Sequence, residues 1–372
     1  MSTTVQDPTR ATTLRATTLR ERVVKLAGLV TTPLVPADYL DIISPLRSGA
    51  DLRGRIVAVH PETRDAVTLV IKPGRGWEKH TPGQYIRIGV DVDGVRQWRA
   101  YSLTSPADRA DGAITITIKA IPDGKVSNHL VRRARVGTII ALDQAAGEFT
   151  LPIPRPRKLL FVTAGSGITP VMGMLRGAVD ELEDVTVVHS APTAADVIFA
   201  GELRMLAGEG RIRLIEKHTD VDGMLDLDEL TALVPDHAER ETWACGPTGL
   251  LDALEGHWTD NGIADLLHTE RFRPTVLVTG EGGTVTFTKT QMTIDADAST
   301  PILDAGEEAG VLMPSGCRMG ICFGCVVPMR EGAVRDLRNG DITTATTHES
   351  GSGGVPIQTC VSAAAGTCDI DL

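Results

Sequence analysis

Pro314-Ser-Gly-Cys317-Arg-Met-Gly-Ile-Cys322-Phe-Gly-Cys325 decides the fold of the last quarter of this 372-residue chain. Three cysteines stand at x4 and x2 spacing, and Cys360 follows at a distance. This is the ligand spacing of a plant-type [2Fe–2S] site. Two irons and two bridging sulfides need four thiolates around a compact core. Three come from one wrapping loop and the fourth closes the cage from a separate strand. Gly316, Gly320 and Gly324 let backbone N–H groups approach the sulfurs. Zinc is the rival, since four thiolates also suit it. Structural zinc sites usually pair two C-x2-C units, and here one such unit carries an added x4 arm. Cys368 fits neither pattern and reads as a plain core or surface thiol. Six cysteines clustered in this way suggest a metal site in a reducing compartment, not a disulfide scaffold.

Outward from this loop, residues 283–372 form one unit with five basic and eleven acidic residues, net −6. Residues 273–282 hold Pro274 and two glycines and read as a linker. Over residues 155–272 apolar strands alternate with helical stretches. The strands expected are Lys158–Thr163, Val185–Ser190, Arg211–Glu216, Thr242–Cys245 and Leu266–Glu270. That is a parallel sheet with crossover helices, the layout of a nucleotide-binding half. Over residues 51–154 the period is two. Arg55–His60, Ala66–Lys72, Gln84–Gly89 and Ala113–Ile121 read as strands, with turns at Pro73-Gly74, Asp93-Gly94 and Asp111-Gly112. Ser127–Arg133 is the one helix expected there, so a small antiparallel barrel follows. Residues 1–50 stand apart as a partly helical extension of net charge +2, in which ATTLR occurs twice in tandem. A short amphipathic helix from Leu19 to Val30, ended by Pro33 and Pro36, reads as packing on the body of the protein.

The net charge of −11 argues against a general nucleic-acid binder. No secretory signal is expected in the Thr- and Arg-rich start. The long apolar run without charge, Leu159 to Leu175, is broken by Gly165, Gly167, Gly173 and Pro170, and reads as strand, turn and helix rather than a membrane span. A cytoplasmic location is the expectation, with any membrane association arising through a partner.

Four further motifs carry chemistry. Arg99-Ala-Tyr101-Ser102 ends a strand of the barrel. A guanidinium can meet a pyrophosphate bidentately, a tyrosine ring can stack on an isoalloxazine, and a serine hydroxyl can reach N5. Gly124-Lys125-Val126-Ser127 opens the helix, where a glycine turn and helix N-terminus make an anion site; Ser127 is also a natural N-cap. Thr163-Ala-Gly165-Ser166-Gly167-Ile-Thr169-Pro170 follows a strand and opens a helix, so a pyrophosphate can approach its backbone. It does not satisfy GxGxxG. Cys245-Gly246-Pro247 ends a later strand; by itself Cys245 reads as a buried structural thiol.

Together with His268-Thr-Glu270-Arg-Phe272 and the cysteine loop, these motifs occur in an order that resembles the ferredoxin–NADP reductase superfamily. The similarity is to the branch with a carboxy-terminal plant-type ferredoxin, which includes reductase components of multi-component oxygenases and of fatty-acyl desaturases. The resemblance implies a multi-domain protein: an antiparallel flavin barrel, an α/β domain with a five-stranded parallel sheet, and an α+β β-grasp ferredoxin. It implies FAD on Arg99, Tyr101 and Ser102, with Val126 and Ser127 at the pyrophosphate. It implies NADPH or NADH on Gly165, Ser166, Gly167, Thr169 and Pro170, with Cys245, Gly246 and Pro247 near the nicotinamide. Glu270 and Phe272 would lie near the flavin ring, and Ser102, Cys245 and Glu270 would be the catalytic set. Cys317, Cys322, Cys325 and Cys360 would hold the cluster. The activity implied is NAD(P)H:acceptor oxidation, with hydride passing to FAD and single electrons leaving through the cluster to a separate oxygenase or membrane fatty-acyl desaturase. The acidic last unit suggests a basic docking face on that partner. A stand-alone flavin reductase of a small acceptor and a redox-sensing cluster module are the alternatives. One departure stands out. NADPH-preferring members often carry an arginine soon after the position of Ser190, and here Ala191-Pro192 follows. Arg211, Arg213 and Lys217 are the candidates to replace it.

Overall fold

In Ile114-Thr-Ile-Thr-Ile-Lys119 the isoleucines enter one apolar core and the threonines face the other way, where they pair with one another. Thr68 Oγ1 lies 2.7 Å from Thr117 Oγ1, and Thr104 Oγ1 lies 2.8 Å from Thr115 Oγ1, so this second buried face is satisfied by hydroxyls. The protein is described from a computed structural model covering residues 44–47, 51–122, 124–272, 281–316, 318–320, 323–346 and 353–372. The expected amino-terminal helix, most of the linker, Cys317 and Cys322 lie outside these residues.

The first sheet comprises β1 (Arg53–Thr63), β2 (Ala66–Pro73), β3 (Tyr85–Val92), β4 (Val95–Ser102), β5 (Ile114–Lys119) and β6 (Ile139–Leu142). It is antiparallel, in the order β4-β3-β6-β1-β2-β5. Its two edges meet at the bridge Leu103–Ile116, with Thr104 N–H donating to Thr115 O at 2.8 Å. The β3–β4 hairpin turns on Asp93-Gly94, both at positive φ (50° and 84°), the pairing that a two-residue type I′ turn requires. β6 was not among the expected strands and β4 was expected only as the strand that Arg99–Ser102 ends; β6 is only four residues long and β4 is rich in charged and aromatic side chains. Helix α1 (Lys125–Arg133) is the one helix among the described residues of this region. It starts two residues earlier than expected. Gly124 occupies the N-cap, so Ser127 is not the cap and lies inside the first turn.

The second sheet holds β7 (Lys158–Ala164), β8 (Asp184–Ala191), β9 (Arg213–His218), β10 (Glu241–Cys245) and β11 (Leu267–Glu270), all parallel, in the order β11-β10-β7-β8-β9. β7 is a continuous apolar run because both its faces are covered. Leu159 and Phe161 join the core under α2 (Ile168–Ala178) and α3 (Ala200–Gly208). Leu160 and Val162 join the opposite core with Leu230, Leu251, Leu254 and Trp258. That side is covered by α5 (Leu227–Leu233) and α6 (Thr248–Asp260), while α4 (Thr219–Asp222) follows β9.

The third sheet is small and mixed: β12 (Gly283–Phe287), β13 (Met292–Ala296), β14 (Val326–Asp336), β15 (Ile342–Ala345), β16 (Val355–Gln358) and β17 (Ser362–Ile370). β12 and β17 are parallel and the other pairs antiparallel. Helix α7 (Ile302–Glu308) packs Ile302 and Leu303 into a core with Val285, Phe287, Met329 and Ile370. Cys368 is buried there, its thiol pushed up to about 12 by burial and by Asp369, so it is a core residue.

Candidate functional site

The three motif regions meet along β4 and the loop that follows it. Gly173 of α2 lies so close to this loop that a Cβ there would stand 2.3 Å from Leu103 O. Arg176 of α2 donates from Nη1 to Thr104 O at 2.7 Å and holds Glu202 through Nε at 2.8 Å. The helix that opens at the Gly165–Pro170 loop is thus pressed onto the residues directly after Ser102.

Within the strand pair, Arg99 faces Ile88, Tyr101 faces Ile86 and Ser102 faces Tyr85. Arg99 and Tyr101 therefore share one face, and Ser102 projects from the other. Ser102 Oγ is buried without a hydrogen-bond partner, which leaves a polar atom for a ligand to satisfy. Burial raises the Tyr101 phenol, so it stays neutral. Arg99 Nη1 donates to Trp98 O at 2.8 Å, and burial, then Arg318, lower its pKa. An anionic ligand would relieve both effects. Helix α1 has no side-chain cap, so its first N–H groups remain for an anion. The Ser127 hydroxyl is already engaged, donating to Gly124 O at 3.2 Å and accepting from Ile121 N at 3.3 Å.

At the nucleotide loop, β7 ends at Ala164 and Gly165 adopts φ +55°. Gly167 has no room for a side chain: a Cβ would lie 2.0 Å from Cys245 O. This contact joins the Gly165–Pro170 loop to the Cys245-Gly246-Pro247 turn at the carboxyl ends of neighbouring strands, where open parallel sheets bind ligands. Thr169 Oγ1 donates to Ser166 O at 2.9 Å and closes the loop. Cys245 is fully buried, and burial and then Glu270 raise its thiol, so it is no thiolate. Glu270, its register partner on β11, has Oε2 buried without a partner. Burial lifts that carboxyl to about 8, so it is protonated at neutral pH. Phe272 is 37% exposed, leaving ring surface for a ligand.

The candidates for a 2′-phosphate divide. Arg211 bonds Val179 O and Asp180, and Arg213 bonds Leu233 O. Both lie at or before the amino end of β9, the edge away from the nucleotide loop. Lys217 is buried on Glu229. His218, in register with Ala191, and Arg204 were missed. Arg204 holds Glu216 bidentately at 2.8 and 2.7 Å, and His218 Nε2 is 3.2 Å from the same carboxylate. Neither has a sequence signature, since the pairing joins a helix to a strand end. A cavity of about 580 Å³ opens at the opposite, amino-terminal edge of this sheet. Its charges pair internally, as in Lys158–Glu239 (2.6 Å) and Arg157–Glu183 (3.1 Å), and the motifs lie at the other edge.

In the third region, Cys325 and Cys360 are buried with their Sγ atoms 3.2 Å apart. Two thiolates on one tetrahedral metal at about 2.3 Å stand roughly 3.8 Å apart, so a small opening of the pair would let it hold one iron. Thr359 Oγ1 donates to Cys325 O at 3.0 Å and ties the two segments together. Arg318, Gly320 and Phe323 take positive φ (60°, 74° and 55°), which coils the chain between the cysteines. Gln358 Nε2 (2.9 Å) and Arg338 Nη1 (3.3 Å) both donate to Gly320 O, two supports that spacing alone does not reveal.

The chain is similar to known proteins over most of its length. The model for an oxidoreductase FAD-binding domain matches residues 77–151, and that for a 2Fe-2S iron-sulfur cluster binding domain matches residues 285–365. An NADPH oxidoreductase of Mycobacterium tuberculosis is 50% identical over 94% of this chain and 91% of its own length. The ferredoxin reductase component of 3-ketosteroid-9-alpha-monooxygenase from Mycolicibacterium smegmatis is 31% identical over 75% of this chain and 86% of its own. Phthalate dioxygenase reductase has a similar fold, with a TM-score of 0.58 at 21% identity over 86% of this chain and 97% of that one.

Proposed function

Because this chain belongs to the FAD- and NAD(P)H-binding reductases with a carboxy-terminal [2Fe–2S] ferredoxin domain, we propose that it oxidises NADPH and supplies a separate oxygenase or membrane fatty-acyl desaturase with electrons. It is an NAD(P)H:acceptor oxidoreductase whose cofactors are FAD and the cluster. FAD takes the hydride as two electrons and the cluster takes electrons singly, which is why both are needed.

The observation that carries the reading is the meeting of the three motif regions on one hairpin. Leu103, next to Ser102, touches the nucleotide-side helix at Gly173, and Arg87 on the neighbouring strand touches the cysteine loop at Gly324. Arg99 and the open end of α1 would hold the FAD diphosphate, Tyr101 would pack on the ring, and Ser102 Oγ would meet the flavin. In this reading the first sheet acts as a flavin barrel and the third as a β-grasp ferredoxin. Gly165 to Pro170 would cradle the dinucleotide's pyrophosphate, with Gly246 and Pro247 beside the nicotinamide. Cys245, held neutral, would give that ring an uncharged floor, and Glu270, protonated, would hold a proton near the flavin. Cys317, Cys322, Cys325 and Cys360 would hold the cluster. NADPH is favoured over NADH by the mycobacterial relative, itself an NADPH oxidoreductase, and by the Arg204 guanidinium, held on Glu216 two residues before His218, the register partner of Ala191.

No described helix is long and apolar enough to cross a membrane, so a membrane-bound acceptor would be met from the aqueous side. The test is reconstitution with candidate diiron desaturases and oxygenases, scored by product, with NADPH and NADH compared. Product formation with one partner supports the reading. Turnover on a small acceptor that is as fast without any partner would favour a stand-alone reductase.

A further inference from the structure

We propose that Arg87 is a positioning residue for the cluster: from the flavin-side sheet it presses on the cysteine loop and places a positive charge there that eases cluster reduction. The inference rests on the cluster reading above and adds a residue that no cysteine motif contains.

Arg87 lies on β3 and is in register with Ala100, between Arg99 and Tyr101 on β4. Its guanidinium sits over the Trp98 ring, 5.3 Å from the centroid, which fixes its direction. The terminal nitrogens point to the cysteine loop. A Cβ built on Gly324 would lie 3.2 Å from Arg87 Nη2, 3.4 Å from Nη1 and 3.3 Å from Gly316 Cα. Gly324 directly precedes Cys325 in the chain. The loop therefore approaches the sheet at a residue without a side chain, and the surface it meets is cationic.

That charge is only partly offset. Among the described residues Arg87 makes one ion pair, Nε to Asp143 Oδ2 at 3.2 Å, and Nε still forms no hydrogen bond. Asp143 is 42% exposed, whereas the Arg87 side chain is 20% exposed. Of the other arginines of this region, Arg318 and Arg338 are more fully neutralised, while Arg99 makes no ion pair among the described residues. Arg318 is held by Asp304 and Glu307, and Arg338 is held through two nitrogens by Asp336.

The step concerned moves one electron from the reduced flavin to the cluster, which becomes more negative by one charge while the flavin loses that electron. A cation beside Gly324, the neighbour of Cys325 in the chain, favours the more negative state, and its burial limits screening by water. Asp143 opposes it. Arginine also suits the seat sterically, because its planar fork stacks on Trp98 while its far edge meets the loop.

The test uses the full chain loaded with FAD and cluster, and reads the cluster midpoint by spectroelectrochemistry alongside cluster content by absorbance and electron paramagnetic resonance. Arg87→Gln should shift the one-electron equilibrium about tenfold against reduction, equivalent to ~59 mV downward. Arg87→Lys should restore most of it. Asp143→Asn should shift the midpoint the opposite way, upward. Unchanged midpoints in Arg87→Gln and Asp143→Asn would overturn the proposal. So would shifts of the same sign in both, which is what simple loosening of the loop produces. If Arg87→Gln does not retain its cluster, Asp143→Asn decides alone: an upward shift supports the proposal and any other result sinks it. Absence of a cluster from the parent protein would overturn the functional reading instead, so the two failures are distinguishable.

Discussion

Glu270 shows how one side chain couples chemistry to stability. Its carboxyl ionises near 4.5 in an exposed chain and near 8 where β11 buries it. Between those values the unfolded state binds fewer protons than the folded one. The folded-state pKa is raised, so the contribution to stability is full below about pH 4.5 and is lost as pH rises through about 8. Glu270→Gln removes this titration. Its stability gain over the parent should grow across that interval and then level off, to on the order of 2 kcal/mol after discounting for solvent at the partly buried side chain. Thermal melts of both proteins across pH check this, and a constant offset would mean that the group titrates normally. His189 differs in kind. Its Nδ1 lies 2.8 Å from Thr163 Oγ1, and burial pushes it down to about 4, so it stays neutral at physiological pH.

At the scale of elements, glycines separate contact from freedom. Gly173 of α2 faces Leu103 O, and Gly177 one turn later faces the Pro82 ring, with hypothetical Cβ distances of 2.3 and 2.4 Å. This face of α2 is kept bare so that the helix can lie against the first sheet. Gly173→Ala should cost about 1–3 kcal/mol and lower nucleotide-dependent flavin reduction, because the helix must move off the strand end. Gly256, within α6, has open space where a methyl group would stand, with nothing within 4 Å, and Gly256→Ala should stabilise by about 0.5–1 kcal/mol. Urea denaturation of the two variants tests the contrast; equal effects would show that the α2 contact carries no weight. The N-cap of α1 belongs to the same scale. Expectation placed Ser127 there because serine is a good cap, but the helix begins at Lys125 and the serine turns back onto Gly124.

Over the whole molecule, the first and third sheets each have a core, and the second has two, one of which also takes in Ala66 of β2. Loss of one cofactor should therefore leave the others working. Cys325→Ser should abolish the cluster absorbance and delivery of electrons to a protein acceptor, while NAD(P)H-dependent dye reduction by the flavin stays within about twofold of the parent. Equal loss of both activities from a folded variant would contradict a modular chain. The contacts at Gly173, Arg176, Arg87 and Gly324 are the routes by which the modules are held in order.

Local sequence by itself determined the kind of chemistry. The x4 and x2 cysteine spacing, the Arg99-to-Ser102 strand end and the glycine turn after β7 each follow from short-range rules of ligand reach and backbone freedom. The parallel sheet was legible because strands buried on both faces must be continuously apolar, and the strand alternation of Ile114–Lys119 was legible because one face is aliphatic. Tertiary structure alone decided what those motifs meet. Arg211 and Arg213 looked equivalent to any other cation until β9 placed them at the wrong edge, while Arg204 and His218 converge on Glu216 from separate elements. Arg87 has no motif at all, and only the packing of the third sheet against the first brings its charge to the cysteine loop. Contacts between residues far apart in sequence depend on the mutual fit of whole surfaces, and no local pattern encodes that fit.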